Sequence, residues 1–164
     1  MNKYLFIPLL LSFSFLFAQE QQKPCSAPEA NQFDFWVGKW QAEWEGGKGT
    51  NDISKILNGC VVFEQFDATP SSPLIGRSYT VYSSRTGQWQ QTWVDNSGGY
   101  LDFTGSWQDE KMILSRSFEI KGKKVMQRMV WYNISEKEFD WNWERSDDDG
   151  KTWKANWKIH YTRL

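Results

Sequence analysis

Histidine is nearly missing from this chain, with His160 the single example in 164 residues, and Cys25 and Cys60 are its only thiols. One His and two Cys at unrelated spacings make no zinc site and no Cys–His nucleophile pair. A Ser-His-Asp triad would have to use His160, and neither a Gly-x-Ser-x-Gly elbow nor a glycine-rich phosphate loop is present. Excess charge is lacking too. Lys plus Arg is 19 against 20 for Asp plus Glu, a formal net charge of −1, so no cationic field exists to hold nucleic acid. After residue 18 there is no run of the roughly 20 apolar residues that a spanning helix needs. No nucleic-acid partner, no metal, no cofactor and no membrane insertion of the mature chain are therefore expected. No catalytic residues can be named, and a binding role is favoured over an enzymatic one.

Aromatic side chains are what the sequence has instead: 11 Trp, 11 Phe and 6 Tyr. Disordered chains are poor in aromatics, so a packed domain is expected. Residues 1–18 read as a signal peptide, with Lys3 as the positive region, Leu5-Phe6-Ile7-Pro8-Leu9-Leu10-Leu11 as the apolar core and a cut after Ala18. The expected location is secreted or periplasmic. In such a compartment the two cysteines are expected to join as a Cys25–Cys60 disulfide. Residues 19–32 are polar and carry Pro24 and Pro28, which reads as an extended arm. Residues 33–164 form the remaining unit, of a size for one domain.

From residue 33 the chain is a succession of short alternating runs: 38–45, 51–57, 60–68, 75–83, 88–95, 100–107, 111–120, 124–132, 138–145 and 152–163. The breaks hold turn residues such as Gly46-Gly47, Asn58-Gly59, Ser97-Gly98-Gly99 and Gly122. Regular strands with short connections predict an all-β, single antiparallel meander barrel of about 8–10 strands. Side chains two apart share a face. One face thus collects Trp89, Gln91 and Trp93, then Met112, Leu114, Arg116 and Phe118, then Phe139, Trp141 and Trp143, then Trp157, Ile159, Tyr161 and Arg163. His160 shares parity with Lys158 and Thr162, on the solvated face.

The segment Asp34-Phe35-Trp36-Val37-Gly38-Lys39-Trp40 resembles the opening of lipocalin-like (calycin) barrels, in which a Gly-x-Trp starts the first strand. The resemblance implies that Trp40 closes the barrel floor and stacks on a last-strand arginine, for which Arg163 is the match. A longer pattern runs through Asn58-Gly59-Cys60, Glu64, Gly76-Arg77-Ser78, Trp89-Gln90-Gln91-Thr92-Trp93-Val94-Asp95 and Gly105 to Ser146–Trp153. It is similar to an uncharacterised family of exported bacterial proteins with a calycin-like barrel. That resemblance implies a fold and a compartment and brings no catalytic residues. Ser146-Asp147-Asp148-Asp149-Gly150-Lys151-Thr152-Trp153 also fits the Asp-box pattern of sialidase propellers. There it is a hairpin turn, so Asp148, Gly150 and Trp153 are expected to be structural.

An aromatic interior with a few polar groups is the usual make-up of a ligand pocket. The candidate ligand-binding residues are Glu64, Arg77, Tyr79, Trp89, Gln91, Trp93, Arg116, Trp141 and Trp143, and the expected partner is a small hydrophobic or amphipathic molecule. An acidic end on that molecule would meet Arg116. A filled barrel, a carbohydrate-binding module with exposed Trp, and an enzyme using Glu64, Asp95 or Arg116 remain open alternatives. The sequence leaves ligand identity and oligomeric state open.

Overall fold

The computed structural model describes residues 25–164, so the expected leader and the first part of the expected arm lie outside the described residues. Ten strands follow two short 3-10 turns, η1 (Pro28–Asn31) and η2 (Asp34–Trp36): β1 Gly38–Trp44, β2 Gly47–Ile56, β3 Val61–Asp67, β4 Ile75–Ser83 and β5 Gln88–Asp95. Next come β6 Tyr100–Gln108, β7 Lys111–Ile120, β8 Lys123–Tyr132, β9 Glu138–Ser146 and β10 Lys154–Arg163. Each strand pairs antiparallel with its neighbour in sequence, and β1 pairs with β10 to close the barrel. The fold is thus an all-β meander barrel, and closure leaves no free sheet edge.

Two strand starts differ from the pattern reading by two residues or more. β2 begins at Gly47, because Trp44 pairs directly with Gly47 across a two-residue turn. Gly47 reads as a breaker but lies inside the strand together with Gly49, where pairing with β1 overrides their weak local preference. β10 begins at Lys154 rather than 152, because Thr152 and Trp153 are consumed by the preceding turn. The β6–β7 and β7–β8 hairpins have two-residue loops whose central residues all take positive φ: Asp109 (47°) and Glu110 (62°), then Lys121 (50°) and Gly122 (74°). That is the loop geometry whose twist matches paired strands.

The described part of the expected extended arm is not extended. Pro28 opens η1, Ala30 is buried, and a Cys25–Cys60 disulfide fastens the segment ahead of β3. Ten strands leave a wide floor, and the chain folds back to fill it. Phe33 and Trp36 enter the barrel and pack against Trp89 and Trp131, with ring centroids 4.9–5.4 Å apart.

Trp40 and Arg163 lock this plug. Trp40 Nε1 donates to the Trp36 carbonyl at 2.7 Å. The Arg163 guanidinium sits 4.1 Å above the Trp40 ring and donates to the carbonyls of Glu136 (2.6 Å), Val37 (3.0 Å) and Phe35 (3.3 Å). Gly38 makes room for it, since a Cβ there would lie 2.1 Å from Arg163 Nη1. The outward positions of β10 are polar: Lys154, Asn156, Lys158, His160 and Thr162 are all exposed. The lipid-facing band of a membrane barrel is apolar instead. No helix among the described residues is long and apolar enough to cross a membrane.

The β9–β10 connection is a dense turn. Ser146 Oγ donates to Asp148 Oδ1 (2.7 Å) and accepts from the Gly150 N–H (2.9 Å). Asp148 accepts from the Thr152 N–H (2.9 Å) and hydroxyl (2.6 Å), and Trp153 Nε1 donates to the Gly150 carbonyl at 3.0 Å. These bonds, the Thr152 hydroxyl first, hold the Asp148 carboxyl far below the usual carboxylate range.

Two outcomes are expected. The disulfide closes a loop with a sequence separation of 35, so reduction should lower stability by about 3–4 kcal/mol on the chain-entropy estimate. Denaturant titrations with and without reductant measure this, and equal midpoints would remove the disulfide from the stability account. Gly150 has φ +82°, so Gly150→Ala should cost about 1 kcal/mol or more. Thermal denaturation of that variant checks it, and an unchanged melting temperature would contradict the turn assignment.

Candidate functional site

At the end opposite the plug the barrel is not filled. A cavity of about 230 Å³ opens there, more than the roughly 150 Å³ that suffices for benzene. Its deep part is made by Trp36, Trp131, Ile159, Tyr161 and Glu64, all buried. Its outer part is made by Leu74, Trp93, Asp95, Leu101, Trp143 and Trp157, all half-exposed. The latter sit at the ends of β4, β5, β6, β9 and β10 that point away from η1 and η2. The burial gradient therefore marks a mouth. Phe66, Phe103, Met129 and Trp141 complete the lining.

The wall is built by parity. Val62, Glu64 and Phe66 share the inner face of β3, which carries a carboxyl group into an aromatic interior. Asn51 Nδ2 donates to Glu64 Oε1 at 2.8 Å, and Ser78 Oγ donates to Oε2 at 2.6 Å. Gln91 Nε2 donates in turn to Ser78 Oγ (3.1 Å) and Thr80 Oγ1 (2.9 Å). Burial pushes the Glu64 carboxyl up to about 7, against the pull of the Ser78 and Asn51 hydrogen bonds and the Arg77 charge. Tyr161 is pushed well above the ordinary phenol value, first by burial and then by the Glu64 carboxylate.

Asp95 differs. It accepts from the Ser97 hydroxyl and N–H and from the Gly99 N–H, and these bonds, the Ser97 hydroxyl first, hold it at about 2. Its second oxygen accepts from Trp93 Nε1 at 3.2 Å. A fixed anion at the mouth thus orients one of the mouth tryptophans.

Of the nine expected ligand-binding residues, Glu64, Trp93, Trp141 and Trp143 line this cavity together. The other five do not. Arg77 and Tyr79 alternate with inward Gly76, Ser78 and Thr80 and therefore face outward. Tyr79 is 49% exposed and packs on Phe63. Trp89 belongs to the floor, where its Nε1 donates to Gln32 Oε1 at 3.1 Å. Gln91 is buried within the Ser78–Thr80 network, behind the lining. Arg116 faces inward and lies over the Phe118 and Phe103 rings (4.9 and 5.8 Å), outside the cavity. Glu64 does not answer it, since both carboxylate oxygens bond to Asn51 and Ser78.

Trp157, Ile159 and Tyr161 were on the inner face in the alternation, and Met129 and Trp131 follow the same rule on β8. Trp36 gave no such signal, because it reaches the cavity from a 3-10 turn that has no strand parity. For the enzymatic alternative, Glu64 and Asp95 direct their hydrogen bonds to separate partners rather than to each other or to Arg116. For the sugar-stacking alternative, Trp107, 36% exposed, shares the inward parity of Leu101 and Phe103 and rests its ring on Phe35 of the plug (6.0 Å), so it offers no flat outer face.

Several buried polar atoms lack a protein partner: the indole N–H groups of Trp36 and Trp131, Asn51 Oδ1, Gln91 Oε1 and two Arg116 nitrogens. Trp36 and Trp131 are cavity residues. No family model matches the chain, and no curated protein matches it.

The buried carboxyl has a pH consequence. A folded-state value near 7, raised from 4.5, means the folded protein holds a proton the unfolded chain releases. Stability is fully present below about pH 4.5 and is lost as pH rises through 7, by up to about 3 kcal/mol. Urea midpoints between about pH 5 and 8 should decline for the wild type and stay flat for Glu64→Gln. Parallel slopes for the two would overturn this assignment.

Proposed function

We propose that the chain is an exported small-molecule binding protein with a lipocalin-like barrel, whose cavity takes a hydrophobic or amphipathic ligand. The carrying observation is the aromatic cavity of about 230 Å³, floored by the plug and open at the other end. Such a shape, apolar with a few polar groups, is what ligand sites have in common. An apolar void of this size forfeits the contacts a filled core would make, and neighbouring side chains have not collapsed into it. Export is supported by the leader pattern of residues 1–18 and by the Cys25–Cys60 disulfide, which suits an oxidising compartment.

Titration with the neutral probe N-phenyl-1-naphthylamine tests the cavity. Expected are saturable quenching of tryptophan emission and a rise in probe emission, both lost in Leu101→Trp, which fills the mouth while leaving the strands paired. Binding that survives in a folded Leu101→Trp protein would place the probe elsewhere and refute the cavity reading.

A further inference from the structure

We propose that the cavity selects an organic cation, an amine or quaternary ammonium on a body about one aromatic ring in size, with Glu64 as its counter-ion. This rests on the binding reading above and narrows its ligand class. The acidic ligand that Arg116 suggested is thereby replaced, because Arg116 is not in the lining.

Three features of the lining converge. Its ionisable carboxylates are Glu64 and Asp95, and among the described residues it includes no lysine, arginine or histidine. An anion entering would meet two acids and no base. The second feature is the density of aromatic rings in the same lining. Phe66 lies 6.2 Å from Trp93 and 5.8 Å from Trp157, and Trp157 lies 5.8 Å from Trp141. Ring faces carry negative potential and attract cations, tryptophan most strongly, while bearing no charge that would require hydration. The third is that this end of the barrel already accommodates a cation in this manner. Arg116 lies over Phe118 and Phe103, and Phe103 turns into the cavity lining.

Glu64 supplies what rings cannot. A desolvated cation needs a compensating charge, and Glu64 is a buried carboxyl on the cavity wall whose protein partners, Asn51 and Ser78, are neutral donors. The groups facing it are the Asn51 amide from β2, the Ser78 hydroxyl from β4 and the Tyr161 phenol from β10, and the permanently charged Arg77 of β4 acts on it through the sheet. Arg77 lies on the other side of the sheet, with its Nη1 donating to the Gly76 and Phe66 carbonyls at 2.7 and 3.2 Å, so it does not occupy the cavity. A cation would favour the ionised carboxyl, and acidification would oppose binding.

The test uses three probes of one shape class: benzyltrimethylammonium, its uncharged carbon isostere neopentylbenzene, and phenylacetate. Each is measured by displacement of N-phenyl-1-naphthylamine. The ammonium should bind about tenfold or more tighter than the isostere, with phenylacetate weakest. Glu64→Gln should weaken the ammonium by about tenfold and leave the isostere unchanged. In the wild type, the ammonium's affinity should fall between about pH 8 and pH 5.5 while the isostere's stays level; this arm needs no variant to fold. An isostere that binds as tightly as the ammonium, or ammonium affinity indifferent to both pH and Glu64→Gln, overturns the cation inference and leaves the cavity reading standing. Failure of the naphthylamine itself to bind overturns both.

Discussion

The fold hangs on the contact between Arg163, the second-last residue, and Trp40 near the start of the barrel. A meander closes only if its first and last strands meet, and closing a ring of this span costs loop entropy with no local reward. Arg163 meets that cost at one place. Its guanidinium stacks on Trp40 and donates to carbonyls from the η2 turn and from the β8–β9 connection. One side chain therefore joins the closing seam, the plug and a remote loop. A lysine could not replace it, since a single ammonium has neither the plane to stack nor the fork of donors.

Placement of the plug decides what the interior can be. Ten strands enclose more volume than inward side chains fill. Phe33, Trp36 and Trp40 occupy the floor with edge-to-face ring contacts, and the remaining space gathers at the other end. The interior is thus asymmetric, a dry aromatic core below and an aromatic-walled cavity above. Tryptophan suits both roles. It supplies apolar area for the core, and where half-exposed it supplies a ring face at a water boundary.

Among the described residues Glu64 is the one acid set deep in this interior, and its position carries a stability cost at neutral pH. Nothing in the barrel's closure requires it, since the β3 backbone pairs whatever side chain stands there. Asn51, Ser78, Thr80 and Gln91 form a connected network around it. A buried network tolerated at such a cost is more readily understood as binding chemistry than as scaffold. Asp95 makes the contrast. Its bonds to Ser97 and Gly99 stabilise it as an anion, and it shapes the β5–β6 turn.

Much was legible from order and alternation alone. Ten short runs with turn residues between them specify a meander, because strand period and turn chemistry act locally. The same parity placed Trp93, Trp141 and Trp143 inside. The Asp-box turn and the disulfide pair could also be read directly, from a local motif and from the only two thiols. Parity was available but misapplied at Arg77 and Tyr79, which alternate with Gly76 and Ser78 and so face out. Parity cannot give depth along the barrel axis. That is why Trp89 and Trp93, four residues apart on one face, end in the floor and at the mouth, and why Arg116 points inward yet misses the cavity. Nor could pattern show that Phe33 and Trp36 would turn back into the barrel as a plug, or that Glu64 would keep neutral partners instead of Arg116. The sequence by itself determined strand order and sidedness, which follow from neighbours in the chain. Only the tertiary structure decided where the void lies and which charge faces it, because both depend on how the closed ring staggers distant strands around the plug.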